Sequence, residues 1–326
     1  MIEIIHQGIM TCIVDSGRYG YAAVGVPPSA ALDSFAYGVL NRLLAQNGHA
    51  PALEVIGAQF SLRFHRNIIC ALTGARVRAS LDDKPLNPWT SFSAASGSVL
   101  KVHEVTEGFR YYLGFAGSMA LERVIGRFAT NLECRFGGYQ GRALSVGDRI
   151  NIDGFNDIPW GAIPGSTIPM MKSPHRLRVT AGPEYHYFSE AAQKIFADRE
   201  GRTVYDVSAT INRTGIRLEG QPLTFRNDVD KSIISEGILP GTVQIPGDGL
   251  PIIMLYERTI GGYARIARVI RADLDRLAHL KPGDYVLFEI IGIDEAERLW
   301  EERQQRLASL TSPVGRLSGI SPARVS

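Results

Sequence analysis

The stretch with the strongest chemical character reads Ser235-Glu236-Gly237-Ile238-Leu239-Pro240-Gly241-Thr242-Val243-Gln244-Ile245-Pro246-Gly247-Asp248-Gly249. Gln244 lies inside an apolar, strand-like run. A glutamine there either faces solvent or satisfies its amide against a partner, and that amide offers a donor and an acceptor together. Such a pair suits the reading of a planar urea or lactam group. Glu236 is a candidate base or a buried hydrogen-bond acceptor. Asp248, between two glycines, fits a turn first and a catalytic acid second. Gly261-Gly262, ahead of Tyr263, would let a carboxylate or phosphate lie on main-chain N–H groups.

A second cluster sits near the start, where Asp15-Ser16-Gly17-Arg18-Tyr19-Gly20 places an acid, a cation and two glycines in six residues. Arg18 could grip a carboxylate or phosphate in a fork. A β-turn with an internal Asp15–Arg18 pair explains the same residues as well. Asp33, or Ser29, is better read as a helix cap than as a catalyst. Known catalytic signatures do not fill the gap. The chain has no G-x-x-x-x-G-K-[ST] loop, no G-x-G-x-x-G, no H-E-x-x-H, no C-x-x-C and no G-x-S-x-G,. Its seven histidines show no metal-ligand spacing,.

The elements that must position these groups are mostly strands. Residues 99–105, 111–115, 177–180, 252–256 and 285–291 are apolar runs punctuated by Gly, Pro and Asp,. Four segments have helical spacing. The first carries Leu32, Phe35, Ala36, Val39, Leu40, Leu43 and Leu44 on one face and stops at Asn47-Gly48,. The second holds Phe188, Ala191, Ala192, Ile195 and Phe196. The third is short, with Leu274, Leu277 and Leu280. The fourth opens at Asp294 with Glu297 three residues on, a capping-box spacing. The tail after Ser309, rich in Ser, Pro and Arg, is expected to be disordered. An internal echo suggests duplication: Gly137-Gly138-Tyr139, then Leu144 and Gly147-Asp148, matches Gly261-Gly262-Tyr263, then Leu280 and Gly283-Asp284,.

Composition narrows the function classes. With 326 residues and 45% hydrophobic ones, two domains fit better than one,. A net charge of +2 without a basic tract gives no support to nucleic-acid binding,. No apolar run reaches the roughly 18 residues of a transmembrane helix, and the N-terminus has no signal-peptide pattern. Cys12, Cys70 and Cys134, odd in number and widely spaced, fit buried free thiols in a reducing cytoplasm,.

Taken together and in order, these segments resemble one family. It is known as allophanate hydrolase subunit 2, as KipA-like, or as the biotin-dependent carboxyltransferase A/B subdomain, and it includes 5-oxoprolinase subunits of type C. The resemblance is carried by D-x-G-R-x-G-Y (15–21), G-V-P-P-S (25–29), A-L-E (52–54), A-L-T-G-A (71–75) and G-R-A-L (141–144). It continues through R-L-E-G (217–220), S-E-G-I-x-P-G-x-x-Q-x-P (235–246), G-G-Y (261–263) and K-P-G-D (281–284). It implies a mainly β fold of two cyclophilin-like barrels with a few short helices, expected over residues 1–165 and 166–293, with a C-terminal helix and tail over 294–326. It implies hydrolysis of a small lactam, 5-oxoproline to glutamate, using ATP shared with partner subunits. The partners are 5-oxoprolinase subunits of types A and B, the latter KipI-like, and the chain alone is expected to be inactive. The alternatives are one half of a biotin-dependent urea- or guanidine-type carboxylase, or a KipA-like regulatory partner of a KipI-like protein. On this resemblance the catalytic candidates are Gln244, Glu236 and Asp248. The substrate-binding candidates are Asp15, Arg18, Arg217, Arg258, Gly261 and Gly262, with no metal. The sequence departs from the family where Tyr256-Glu257-Arg258 precedes Gly-Gly-Tyr, at Asn212 and Ile216, and at Leu250.

Overall fold

The computed structural model of the chain describes residues 1–153, 158, 160–198 and 203–310. The expected tail over 311–326 lies outside the described residues. Two compact units emerge. The first comprises Met1–Arg18, Ser29–Met170 and the segment from Gln305; the second comprises Tyr19–Pro28 and Met171–Gln304. The chain is mainly β, as the sequence implied.

In the first unit the strands are β1 (Ile2–Gln7), β2 (Met10–Val14), β3 (Ala52–Ile56), β4 (Phe60–Phe64), β5 (Ile68–Leu81) and β6 (Lys84–Leu86). They continue with β7 (Ser91–Ala94), β8 (Val99–Phe115), β9 (Ser118–Met119), β10 (Arg149–Ile150) and β11 (Ile152–Asp153). One sheet runs β10-β1-β4-β8-β3-β2, with β5 against β8 and carrying β6 and β7; β9 and β11 pair separately. The two runs expected at 99–105 and 111–115 are one continuous 17-residue strand. The first half of strand β5 is apolar from Ile68 to Leu72 and buried throughout, because both its faces are covered there,. Cys70 and Leu72 enter the cluster that holds Phe60, Phe64 and Tyr111, while Ile69 and Ala71 face the helix α1 (Ser34–Leu43). Asp33 caps α1 by accepting from the Ala36 N–H at 2.8 Å,. Gly114 lets the helix come close: a Cβ there would stand 2.7 Å from a methyl of Leu44. Cys12 and Cys70 are buried free thiols, but Cys134 is exposed, which corrects the expectation for that residue.

The second unit holds β12 (His175–Ala181), β13 (Tyr205–Ile211), β14 (Gly215–Glu219), β15 (Ser232–Gly237), β16 (Thr242–Ile245), β17 (Ile252–Met254), β18 (Ile260–Val269) and β19 (Tyr285–Ile290). Its sheet runs β12-β19-β13-β14-β17-β16-β18-β15, and β12 also pairs with β18, so the sheet rolls up and closes,. The pair β12–β19 is parallel. Helices α2 (Glu190–Phe196) and α3 (Leu274–Leu277) belong to this unit, and α4 (Ile293–Ser309) follows it. The four helical segments expected from periodicity are all present.

The internal echo holds for its turn and fails for its Gly-Gly-Tyr. Asp148 and Asp284 each follow a glycine at positive φ, of 87° and 84°. Each carboxylate accepts the N–H three residues back, from Ser145 at 2.7 Å and Lys281 at 3.2 Å. Gly137 and Gly138, however, sit in a left-handed loop, at φ 69° and 55°, whereas Gly261 and Gly262 lie inside β18. No helix of the described residues is long and apolar enough to cross a membrane.

Candidate functional site

Antiparallel partners that stand opposite each other point to the same side of a sheet. In the second unit Arg217 opposes Ile252, Ile252 opposes Gln244, and Gln244 opposes Arg265. One row across β14, β17, β16 and β18 therefore carries two arginines with Gln244 between them. The residues beside that row, Ile216, Ile253, Val243 and Ile266, are fully buried on the other face.

Gln244 is 3% exposed, and its Nε2 donates to the Tyr263 carbonyl at 3.3 Å. Its amide lies over Gly261. A Cβ at Gly261 would stand 2.3 Å from Nε2 and 3.0 Å from Oε1. Gly261 thus leaves room for a side chain, and Gly262 packs beside Ser235 in the same way, with Oγ at 3.1 Å from a would-be Cβ. In this unit the two glycines seat protein groups.

Each arginine of the row has an acid. Arg217 pairs with Asp248, which also accepts the Leu250 N–H at 3.1 Å and so closes its own turn. Arg265 is gripped by Glu184 through Nε at 2.8 Å and Nη2 at 2.7 Å, and its backbone N–H donates to the same carboxylate at 3.0 Å. Glu236, largely exposed, adds a contact to Nη2 at 2.8 Å. Burial pushes the Glu184 carboxyl up, but the Arg265 bonds outweigh it and hold the group below its ordinary 4.5,. The unfolded chain then takes up the proton first as pH falls. The stabilisation is present above about pH 4.5 and is lost as pH drops through the lower folded value,. The melting temperature of Glu184→Gln should therefore fall less steeply than that of the wild type below that pH. Parallel acid limbs in the two proteins would refute the assignment.

The remaining sequence candidates fall elsewhere. Asp15, in the first unit, is fully buried and accepts from Gly17 N–H at 2.8 Å and Phe128 N–H at 2.6 Å. Arg18 is 1% exposed and donates to the carbonyls of Val124 at 2.8 Å and Ala129 at 2.6 Å while stacking over Phe136. Both hold main chain. Gly137 belongs to that device, since a Cβ there would stand 2.5 Å from an Arg18 nitrogen. Arg258 is exposed on the loop before β18. Its neighbour Glu257 is 4% exposed and bound to Arg213 at 3.0 Å. Sequence reasoning missed Arg265 and Glu184. Arg265 was within reach of a period-two count from Gly261 through Tyr263; Glu184 lies 81 residues away and carried no signal. No cluster of three metal-ligating side chains exists among the described residues.

Three comparisons bear on this geometry. The family of carboxyltransferase domains, subdomains A and B, matches residues 24–290. The C-type 5-oxoprolinase subunit of Escherichia coli K12 is 34% identical over 323 residues, covering 95% of this chain and 97% of the relative. Its counterpart in Haemophilus influenzae is 31% identical, covering 92% and 94%. The crystal structure of the Kluyveromyces lactis urea carboxylase superposes with a TM-score of 0.88 at 27% identity, over 98% of this chain and 30% of that one.

Proposed function

The chain belongs to the family of carboxyltransferase domains, subdomains A and B, and from that premise we propose that it works as the C-type subunit of an ATP-dependent 5-oxoprolinase. In this reading it helps to open a small lactam, 5-oxoproline, to glutamate. It does so in the cytoplasm with two partner subunits, a KipI-like one of type B and one of type A. Residues 1–165 and 166–293 are its two carboxyltransferase-type domains. The observation that carries the reading is Gln244, an amide held almost out of water between two arginine–acid pairs.

A five-membered lactam is locked cis, so its N–H and C=O point to one side. A primary carboxamide presents the complementary acceptor and donor on one edge. Gln244 orients the lactam in this way and stabilises charge developing on its oxygen. Arg217 draws the substrate carboxylate, with the exposed Asp248 as the counter-ion it exchanges. Glu236, exposed on β15, is the proton acceptor within reach of the same face. ATP supplies the free energy that opens an unstrained amide and is shared with the partner subunits. Asp15 and Arg18 act at one remove, by fixing the main chain of the family's first signature.

The test is reconstitution. ATP turnover dependent on 5-oxoproline, with release of glutamate, should appear when the three subunit types are mixed and should be missing from this chain alone. A full mixture that makes no glutamate would exclude this substrate. The likeness to urea carboxylase favours a second reading, transfer of a carboxyl group from carboxybiotin to urea. It predicts urea-dependent unloading of a carboxylated biotin carrier, which the first reading does not.

A further inference from the structure

Strand β18 crosses its neighbour with one residue to spare. Thr242 and Val243 oppose Arg268 and Ala267, but Gln244 opposes Arg265, so Ile266 is extra. This bulge brings Arg265 and Arg268, three residues apart, to one face of the sheet. The burial pattern agrees, because Ala264, Ile266, Ala267 and Val269 are all buried while Arg265 and Arg268 are not. Arg268 also opposes Thr180 of β12.

Arg268 is half-buried, and the hydrogen bond it makes is a long one, from Nε to the Pro240 carbonyl at 3.4 Å. Arg271 stands exposed over the Trp300 ring at 4.1 Å. Neither has a carboxylate partner among the described residues. The acids of α3 and the turn before it are already held: Asp273 by Arg178 at 2.5 Å, Asp275 by Arg303 at 2.8 Å. Burial, and then the like charge of Arg271, hold the Arg268 guanidinium below its ordinary range. Tyr256, 6% exposed, and Tyr19, 62% exposed, feel these cations electrostatically. Neither hydroxyl makes a hydrogen bond among the described residues.

We propose that Arg268, Arg271 and the hydroxyls of Tyr256 and Tyr19 form a site for a small dianionic oxyanion of the phosphate class. The site shares the sheet face of Gln244 and lies one strand repeat, about 7 Å, along β16 from it. Two like charges without counter-ions repel each other, and a dianion balances both where a monocarboxylate leaves one over. A tetrahedral oxyanion also has oxygens enough for a guanidinium fork and two hydroxyl donors. The chain has no phosphate loop,, and the donors gathered at this place are side-chain cations and hydroxyls. What the anion is for rests on the proposed function: it would be the phosphate side of an ATP-driven lactam opening. That the anion binds rests on these residues alone.

The experiment uses the full chain without partners. Inorganic phosphate is titrated by calorimetry and by melting temperature at constant ionic strength, with chloride and acetate as controls. Saturable binding of one phosphate, with a rise in melting temperature that acetate does not match, is expected. Arg271→Gln, at an exposed position that leaves the fold intact, should weaken binding about tenfold. Arg268→Gln with Arg271→Gln should abolish it, and Gln244→Ala should bind as the wild type does. No saturable binding by the wild type, unchanged affinity in Arg271→Gln, or equal binding of acetate would each overturn the site. Phosphate bound by a chain that makes no glutamate with its partners would sink the proposed reaction and leave the site standing. Glutamate formed by a chain that does not bind phosphate would do the reverse.

Discussion

Replacing Gln244 by Ala should lower 5-oxoproline-dependent turnover of the assembled subunits by about a hundred- to a thousandfold, the usual effect of removing one polarising donor from a desolvated site. The side chain is nearly free of water, and its Nε2 is fixed on the Tyr263 carbonyl at 3.3 Å. The substitution removes both the donor and the acceptor offered to the lactam. It should leave co-elution with the partner subunits unchanged, because a regulatory chain that only sequesters its partner has no use for this amide. Gly261→Ala attacks the same group without touching it. The new methyl would stand 2.3 Å from Nε2, so the amide must turn away. Loss of turnover in both variants, with complex formation retained, is the expected pattern. Turnover of Gln244→Ala within a few-fold of wild type would remove the glutamine from the chemistry.

Glu257→Ala should cost about 3–5 kcal/mol of unfolding free energy, the range for breaking a buried ion pair from one side. Arg213 and Glu257 are 2% and 4% exposed, and Nε meets Oε1 at 3.0 Å. Removing the acid takes this ion pair from a guanidinium that is 2% exposed. Equilibrium denaturation in urea reads the loss directly. Replacing both residues by apolar ones of similar volume should recover much of it, because the desolvation penalty disappears with the second charge. A single variant as stable as the wild type would show that Arg213 finds solvent or another acid.

Much of the scaffold was legible because it rests on short-range rules. The spacing from Leu32 to Leu44 gives an amphipathic stripe, and Asp33 caps it because a short carboxylate reaches the N–H three residues on,. The Gly-Asp turns at 147–148 and 283–284 carry the same local bond and were visible as an echo. What was not legible is long-range. The motif at 15–21 announces a ligand fork, yet Arg18 reaches carbonyls 106 and 111 residues away. The glycines of Gly261-Gly262-Tyr263 suggest an anion cradle, but the space above the first is taken by Gln244 from a neighbouring strand. Period-two counting would have joined Arg265 to that face. It would also have put Arg268 on the wrong one, because nothing local marks Ile266 as the extra residue.

That surplus residue has a bearing on heredity. Point substitutions can tune Arg268 by small steps across a lineage, one charge or one methylene at a time. A gap of a single codon at Ile266 admits no such gradation. It straightens the strand in one step, removing a fully buried side chain while Arg265 stays opposite Gln244 and Arg268 opposite Thr242, so the two cations keep one face and come one residue nearer along the chain,.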